Sequence, residues 1–160
     1  MSRSLKDLVH DAACGGDAEQ LRRLVEEDPK TIRHLVGLSY HTNAVVRDEA
    51  AKAIGHASKF HPEMVRRVVN RLVRAMSDEG ATNAVSAPPV LLAIADQAPE
   101  ILLPLVPELT RLAGDGGLHR GLARTLRMVA DRCPGQVGCK LSQSLTQRAK
   151  RATKIGARNG

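Results

Sequence analysis

The stretch "PKTIRHLVGLSYHTNAVVRDEAAKAIGHASKFHP", residues 29–62, opens and closes on proline and holds two apolar segments with a polar break between them. Proline fixes φ and lacks an N–H, so it ends one helix and is tolerated in the first turn of the next. The first segment, 29–40, reads as a short helix that starts at Pro29. In the second, 43–59, Val46, Ala50, Ala53, Ile54 and Ala57 recur at helical spacing and form one apolar stripe. Asn43 stands where an N-cap is wanted, and Asp48 and Glu49 are assigned to the positive end of that helix's dipole. The unit is a helix pair bounded by proline.

The same boundary recurs along the chain. "VEEDPKTI" (25–32), "KFHPEMV" (59–65), "ADQAP" (95–99) and "ADRCP" (130–134) all break a helical pattern at a proline. Pro29, Pro62, Pro99 and Pro134 are 33, 37 and 35 residues apart. Three residues after each comes an aliphatic residue (Ile32, Val65, Leu102, Val137), and seven after each comes another (Val36, Val69, Val106, Leu141). A period in the thirties, built of helices and punctuated by proline, marks an α-solenoid.

Composition agrees with this. Tyr40 and Phe60 are the only aromatic residues, while hydrophobic residues make up 42% of the chain. The core is therefore expected to be Leu, Val, Ile and Ala, which suits helix packing and not a β-sandwich. At 160 residues one domain is the default. "MSRSLKDLVHDAAC" has no apolar h-region, and the longest nearly uncharged run, "AVSAPPVLLAIA" (84–95), is too short to span a bilayer. An odd cysteine count does not read as a disulfide framework. The expectation is a cytoplasmic protein with no membrane partner.

Further helices are expected at 3–14, 18–27, 62–76, 89–97, 118–132 and 135–155, with Asp17 capping the second of the chain. "PEILLPLVPELTRLAG" (99–114) carries prolines at 104 and 107 and so predicts a kink or a late helix start. "CGGD" and "GDGG" are helix–helix turns and match no phosphate-binding loop.

"AACGGDAEQLRRLVEEDP" resembles an ankyrin-type helix–turn–helix, and "AVVRDEAAKAIG" (44–55) is similar to the second helix of a HEAT repeat. "PPVLLAIADQAP" and "HRGLARTLRMVADRCP" are looser matches to the same helix, and 99–114 resembles the proline-containing first helix of the following repeat. The resemblance covers about residues 29–155 and extends to small prokaryotic HEAT-repeat proteins named for similarity to phycobilin-lyase subunits. It implies an all-α fold, a right-handed α-α superhelix of HEAT-like helix pairs with an ankyrin-like N-terminal pair. Residues 3–28 would then be an N-terminal capping pair, 29–133 the repeats and 134–156 a C-terminal capping helix, all in one domain over 1–160.

No nucleophile motif, phosphate loop or HExxH pattern occurs, so no catalytic, cofactor or metal residue is assigned. The six histidines (His10, His34, His41, His56, His61 and His119) read as solvated helix-end residues near carbonyl dipoles, the alternative being metal ligands gathered where neighbouring turns bring pairs such as His34 and His41 or His56 and His61 together. Cys14, Cys133 and Cys139 read as structural or incidental thiols, since C-x5-C is not a redox or zinc spacing.

Charge carries the only functional lead. The net charge is +7, and residues 137–160 hold Lys140, Arg148, Lys150, Arg151, Lys154 and Arg158 with no acid. Arg120, Arg124 and Arg127 fall at i, i+4 and i+7 on one helix, and the second helix of a HEAT pair lines the concave face. The candidate partner-binding residues are Arg120, Arg124, Arg127, Lys140, Arg148, Arg151 and Lys154, with Gln147 and Arg158 on the same final-helix face; the alternative is that both faces serve only as the polar outer surface and C-terminal cations of a solenoid cap. The leading expectation is a non-catalytic protein–protein interaction scaffold or adaptor for a partner with an acidic surface. One alternative, carried by the resemblance alone, is a phycobilin-lyase-like subunit or chaperone acting on a bound tetrapyrrole. Another is a binder of nucleic-acid phosphate backbones through the basic C-terminal helix. The near absence of aromatic platforms argues against base chemistry.

Overall fold

The computed structural model describes residues 3–78, 86–114 and 119–140. Among them no strand occurs, and all of their regular secondary structure is helical. The α-helices are α1 (Leu5–Cys14), α2 (Ala18–Glu27), α3 (Thr31–Leu38), α4 (Ala44–Ala57), α5 (Pro62–Ser77), α6 (Ala87–Gln97), α7 (Val106–Ala113) and α8 (His119–Arg132). Residues 136–140 are helical as well. No helix among the described residues is long and apolar enough to cross a membrane.

Local chemistry explains most boundaries. The Asp17 carboxylate accepts from the Gln20 N–H at 3.0 Å, and the Asn43 side-chain oxygen accepts from the Val45 N–H at 2.9 Å, so both expected N-caps form. Pro62 opens α5, and Pro88 and Pro89 fit within the first turn of α6, where a missing N–H costs nothing. Two 3-10 turns, Pro99–Ile101 and Leu103–Leu105, precede α7. The interior prolines thus delay that helix to Val106, the late start that their spacing predicts. Helix α3 begins two residues after Pro29, at Thr31, whose buried hydroxyl donates to the Leu24 carbonyl at 2.9 Å and ties α3 to the end of α2. Asp48 and Glu49 do not serve the α4 dipole. They lie beyond its first turn, where Asp48 pairs with Lys52 at 3.2 Å.

The helices pack by alternation. The even-numbered helices touch in sequence, α2 on α4, α4 on α6 and α6 on α8; the odd-numbered ones do the same, α1 on α3, α3 on α5 and α5 on α7. Each odd helix also touches the even helix that follows it. Two layers of helices result, with the core between them.

That core is aliphatic, as composition predicts. Leu21, Ile32, Leu35, Ile54, Leu91, Ile94 and Leu109 are fully buried, whereas Tyr40 and Phe60 stay 40% and 47% exposed. Each fully buried Leu, Ile or Val contributes about 1.5–3 kcal/mol, more than the ~1 kcal/mol of a cap, so layer packing outweighs capping in holding the helices together.

The even layer is drawn together by small residues. A Cβ on Gly55 of α4 would lie 2.6 Å from the Ala93 carbonyl oxygen of α6, and one on Gly121 of α8 would lie 2.4 Å from the Pro88 Cβ. Only glycine permits those approaches.

Candidate functional site

Even-helix packing leaves a groove over α2, α4 and α6. Its volume is about 590 Å3. Ala18, Ala53 and Ala93, one from each helix, help to line it. Side chains this short cannot fill the space above three packed helices, and the groove follows. Its polar lining is Arg22, Glu49, Lys52, His56, Asp96 and Gln97.

Several of these groups are already matched. Lys52 pairs with Asp48, the His56 Nε2 lies 2.8 Å from Glu26 Oε1, and Asp96 pairs with Arg132 of α8. Two are not. Arg22 has no hydrogen bond or ion pair among the described residues, and the Glu49 Oε2 is buried without a hydrogen-bond partner there.

The arginines of α8 extend the same layer. Arg120, Arg124 and Arg127 are all exposed, while Leu122, Thr125 and Val129 of the same helix are buried. At about 100° per residue the two sets lie on opposite faces, so the arginines point away from the α6 and α7 contacts. None of the three has an ion-pair partner among the described residues. Lys140 is half-buried at the end of the described chain. Arg148, Arg151 and Lys154, with Gln147 and Arg158, lie outside the described residues.

No family model, curated protein or solved structure matches this chain.

The histidines differ from their sequence reading. His61 is half-buried, and its Nε2–H donates to the Val25 carbonyl at 2.8 Å, while His56 bonds to Glu26; both therefore tie α4 and its C-terminal junction back to α2. His41 Nδ1 accepts from the Asn43 N–H at 3.0 Å. His10 and Cys14 of α1 meet His41, a grouping that sequence reasoning did not foresee. The i, i+4 spacing of His10 and Cys14 was visible, but nothing local places a loop residue 27 positions further on beside them. Cys133 is half-buried against the core and Cys139 is exposed.

Proposed function

We propose that this chain is a HEAT-like α-solenoid, a right-handed superhelix with an ankyrin-like first pair, and that it acts as a non-catalytic scaffold holding an acidic segment of another protein. The observation that carries this reading is the α8 face of Arg120, Arg124 and Arg127, exposed and without ion-pair partners among the described residues. Alternating helix layers and the proline period support the architecture. An acidic segment along the even helices would give carboxylates to Arg124 and Arg22. Its backbone N–H groups or a lysine would donate to the Glu49 carboxylate in the groove.

Affinity capture with the full chain as bait, at low and moderate salt, tests the proposal. The expected result is one stoichiometric acidic protein, retained at moderate salt. The variant R120E/R124E/R127E should lose it while its helical circular dichroism is unchanged. Capture that survives the triple reversal removes this face. Nucleic acid that is retained at low salt and released steeply as salt rises would assign the basic surface to phosphate backbones instead. A shifted absorption spectrum of added bilin would favour the tetrapyrrole reading.

A further inference from the structure

His10 and Cys14 stand one helical turn apart on α1, and the Cys14 Sγ lies 3.6 Å from His10 Nε2 and 3.8 Å from Nδ1. For tetrahedral zinc, with sulfur at about 2.3 Å and nitrogen at about 2.0–2.1 Å, the S–N edge is about 3.5 Å. The Sγ–Nε2 separation matches that edge, but a sulfur almost equidistant from both ring nitrogens lies off their lone-pair axes, so the His10 ring turns to chelate. His41, from the turn between α3 and α4, completes a group whose ligand atoms all lie within 4.8 Å of one another. The His10 and His41 rings are 6.3 Å apart and meet edge to face, so the two imidazoles are not stacked out of reach of a shared ion. His10 and Cys14 are exposed and His41 is half-buried, which leaves the group open to solvent.

We infer that Cys14, His10 and His41 form a binding site for a zinc-class divalent ion that clamps α1 to the α3–α4 turn. One thiolate and two imidazoles are a borderline-soft donor set, which selects zinc, or cobalt as its spectroscopic substitute, over magnesium or calcium. As the sulfur–metal bond forms, the Cys14 thiol proton leaves to solvent. Three protein ligands leave the fourth position to water. Asp11 Oδ1 lies 3.7 Å from His10 Nδ1, and its other oxygen pairs with Arg3 at 3.0 Å, so it brings little net charge to the site.

His41 supplies an internal reporter. Its Nδ1 accepts the Asn43 N–H, so in the neutral ring Nε2 carries the proton. Ligation through Nδ1 takes that lone pair from Asn43. Ligation through Nε2 moves the ring proton to Nδ1, where it opposes the Asn43 N–H. Either route breaks the same hydrogen bond, and Asn43 is the N-cap of α4.

The test uses the full chain under a non-thiol reductant, with cobalt added and then displaced by zinc. The expected result is one cobalt per chain, with a thiolate charge-transfer band in the near ultraviolet and the strong visible bands of a four-coordinate ion. The band should disappear in Cys14→Ser and survive in the C133S/C139S variant. Zinc affinity, read by competition with a chromophoric chelator, should fall by more than about tenfold in His10→Ala and His41→Ala, at least the loss that an outer-shell change causes. The Asn43 amide resonance should shift on loading. Circular dichroism of each variant separates a lost site from a lost fold. A band that persists in Cys14→Ser, or unchanged affinity in His41→Ala, would overturn the site and leave the α1 pair as a thiol–imidazole contact.

Discussion

At the residue scale, proline creates a deficit as well as a boundary. In an unbroken helix the Val25 carbonyl would accept from the N–H four residues on, and that residue is Pro29, which has none. The donor comes instead from His61, at the next proline junction, with its Nε2–H 2.8 Å away. His61→Ala should cost about 1 kcal/mol, read as a lower urea midpoint with the slope unchanged; an unmoved midpoint would mean that water serves the carbonyl equally well. A second residue-scale effect lies at the start of α1. The Ser4 hydroxyl donates to Asp7 Oδ2 at 2.6 Å, and the Asp7 N–H donates back to Ser4 Oγ at 3.2 Å. The hydroxyl bond is the main reason why the Asp7 carboxyl is held below the ordinary carboxylate value. A depressed folded value gives stability that is present above the unfolded pKa and lost as pH falls through the folded one. Ser4→Ala should therefore raise the Asp7 titration seen by NMR, and an unchanged curve would discount the hydroxyl.

At the scale of the element, two glycines separate packing from propensity. Gly37, near the end of α3, has nothing within 4 Å of where its Cβ would stand, whereas a Cβ on Gly55 would meet the backbone of Ala93. Alanine is the better helix former by about 1 kcal/mol, but overpacking against backbone costs about 1–3 kcal/mol. Gly37→Ala should therefore raise the melting temperature and Gly55→Ala lower it. Shifts of the same sign would show that the α4–α6 contact yields. Caps act on a similar scale, and Asn43→Ala should destabilise by about 1 kcal/mol in chemical denaturation. A null result there would mean that the Val45 N–H is satisfied otherwise.

Across the whole molecule, helices touch their neighbours in the stack and few others. Stability in such an array is a sum of nearest-neighbour terms, so positions with neighbours on both sides are held most firmly. Helix α4 contacts α2, α3 and α6, while α1 has partners on one side only. Hydrogen exchange should therefore be slowest in α4 and α6 and faster in α1. Ile54, fully buried in α4, should cost about 2–5 kcal/mol when cut to alanine. Uniform protection along the chain would instead indicate one cooperative unit.

What the sequence determined by itself is everything that acts within about one turn of helix. Asp17 and Asn43 cap because their oxygens reach N–H groups two or three residues away. The delayed start of α7 follows from two missing donors, and the aliphatic positions after Pro29, Pro62 and Pro99 were legible because burial imposes the helical period. The exposed α8 arginines were legible for the same reason. Only the tertiary structure decided which turns share a neighbourhood. His61 on Val25, Gly55 against Ala93, the groove over three alanines and the meeting of Cys14 with His41 all join residues 27 or more positions apart. Such meetings depend on how closely and at what offset successive helices stack. That offset is set by the summed fit of many side chains, which no local pattern records.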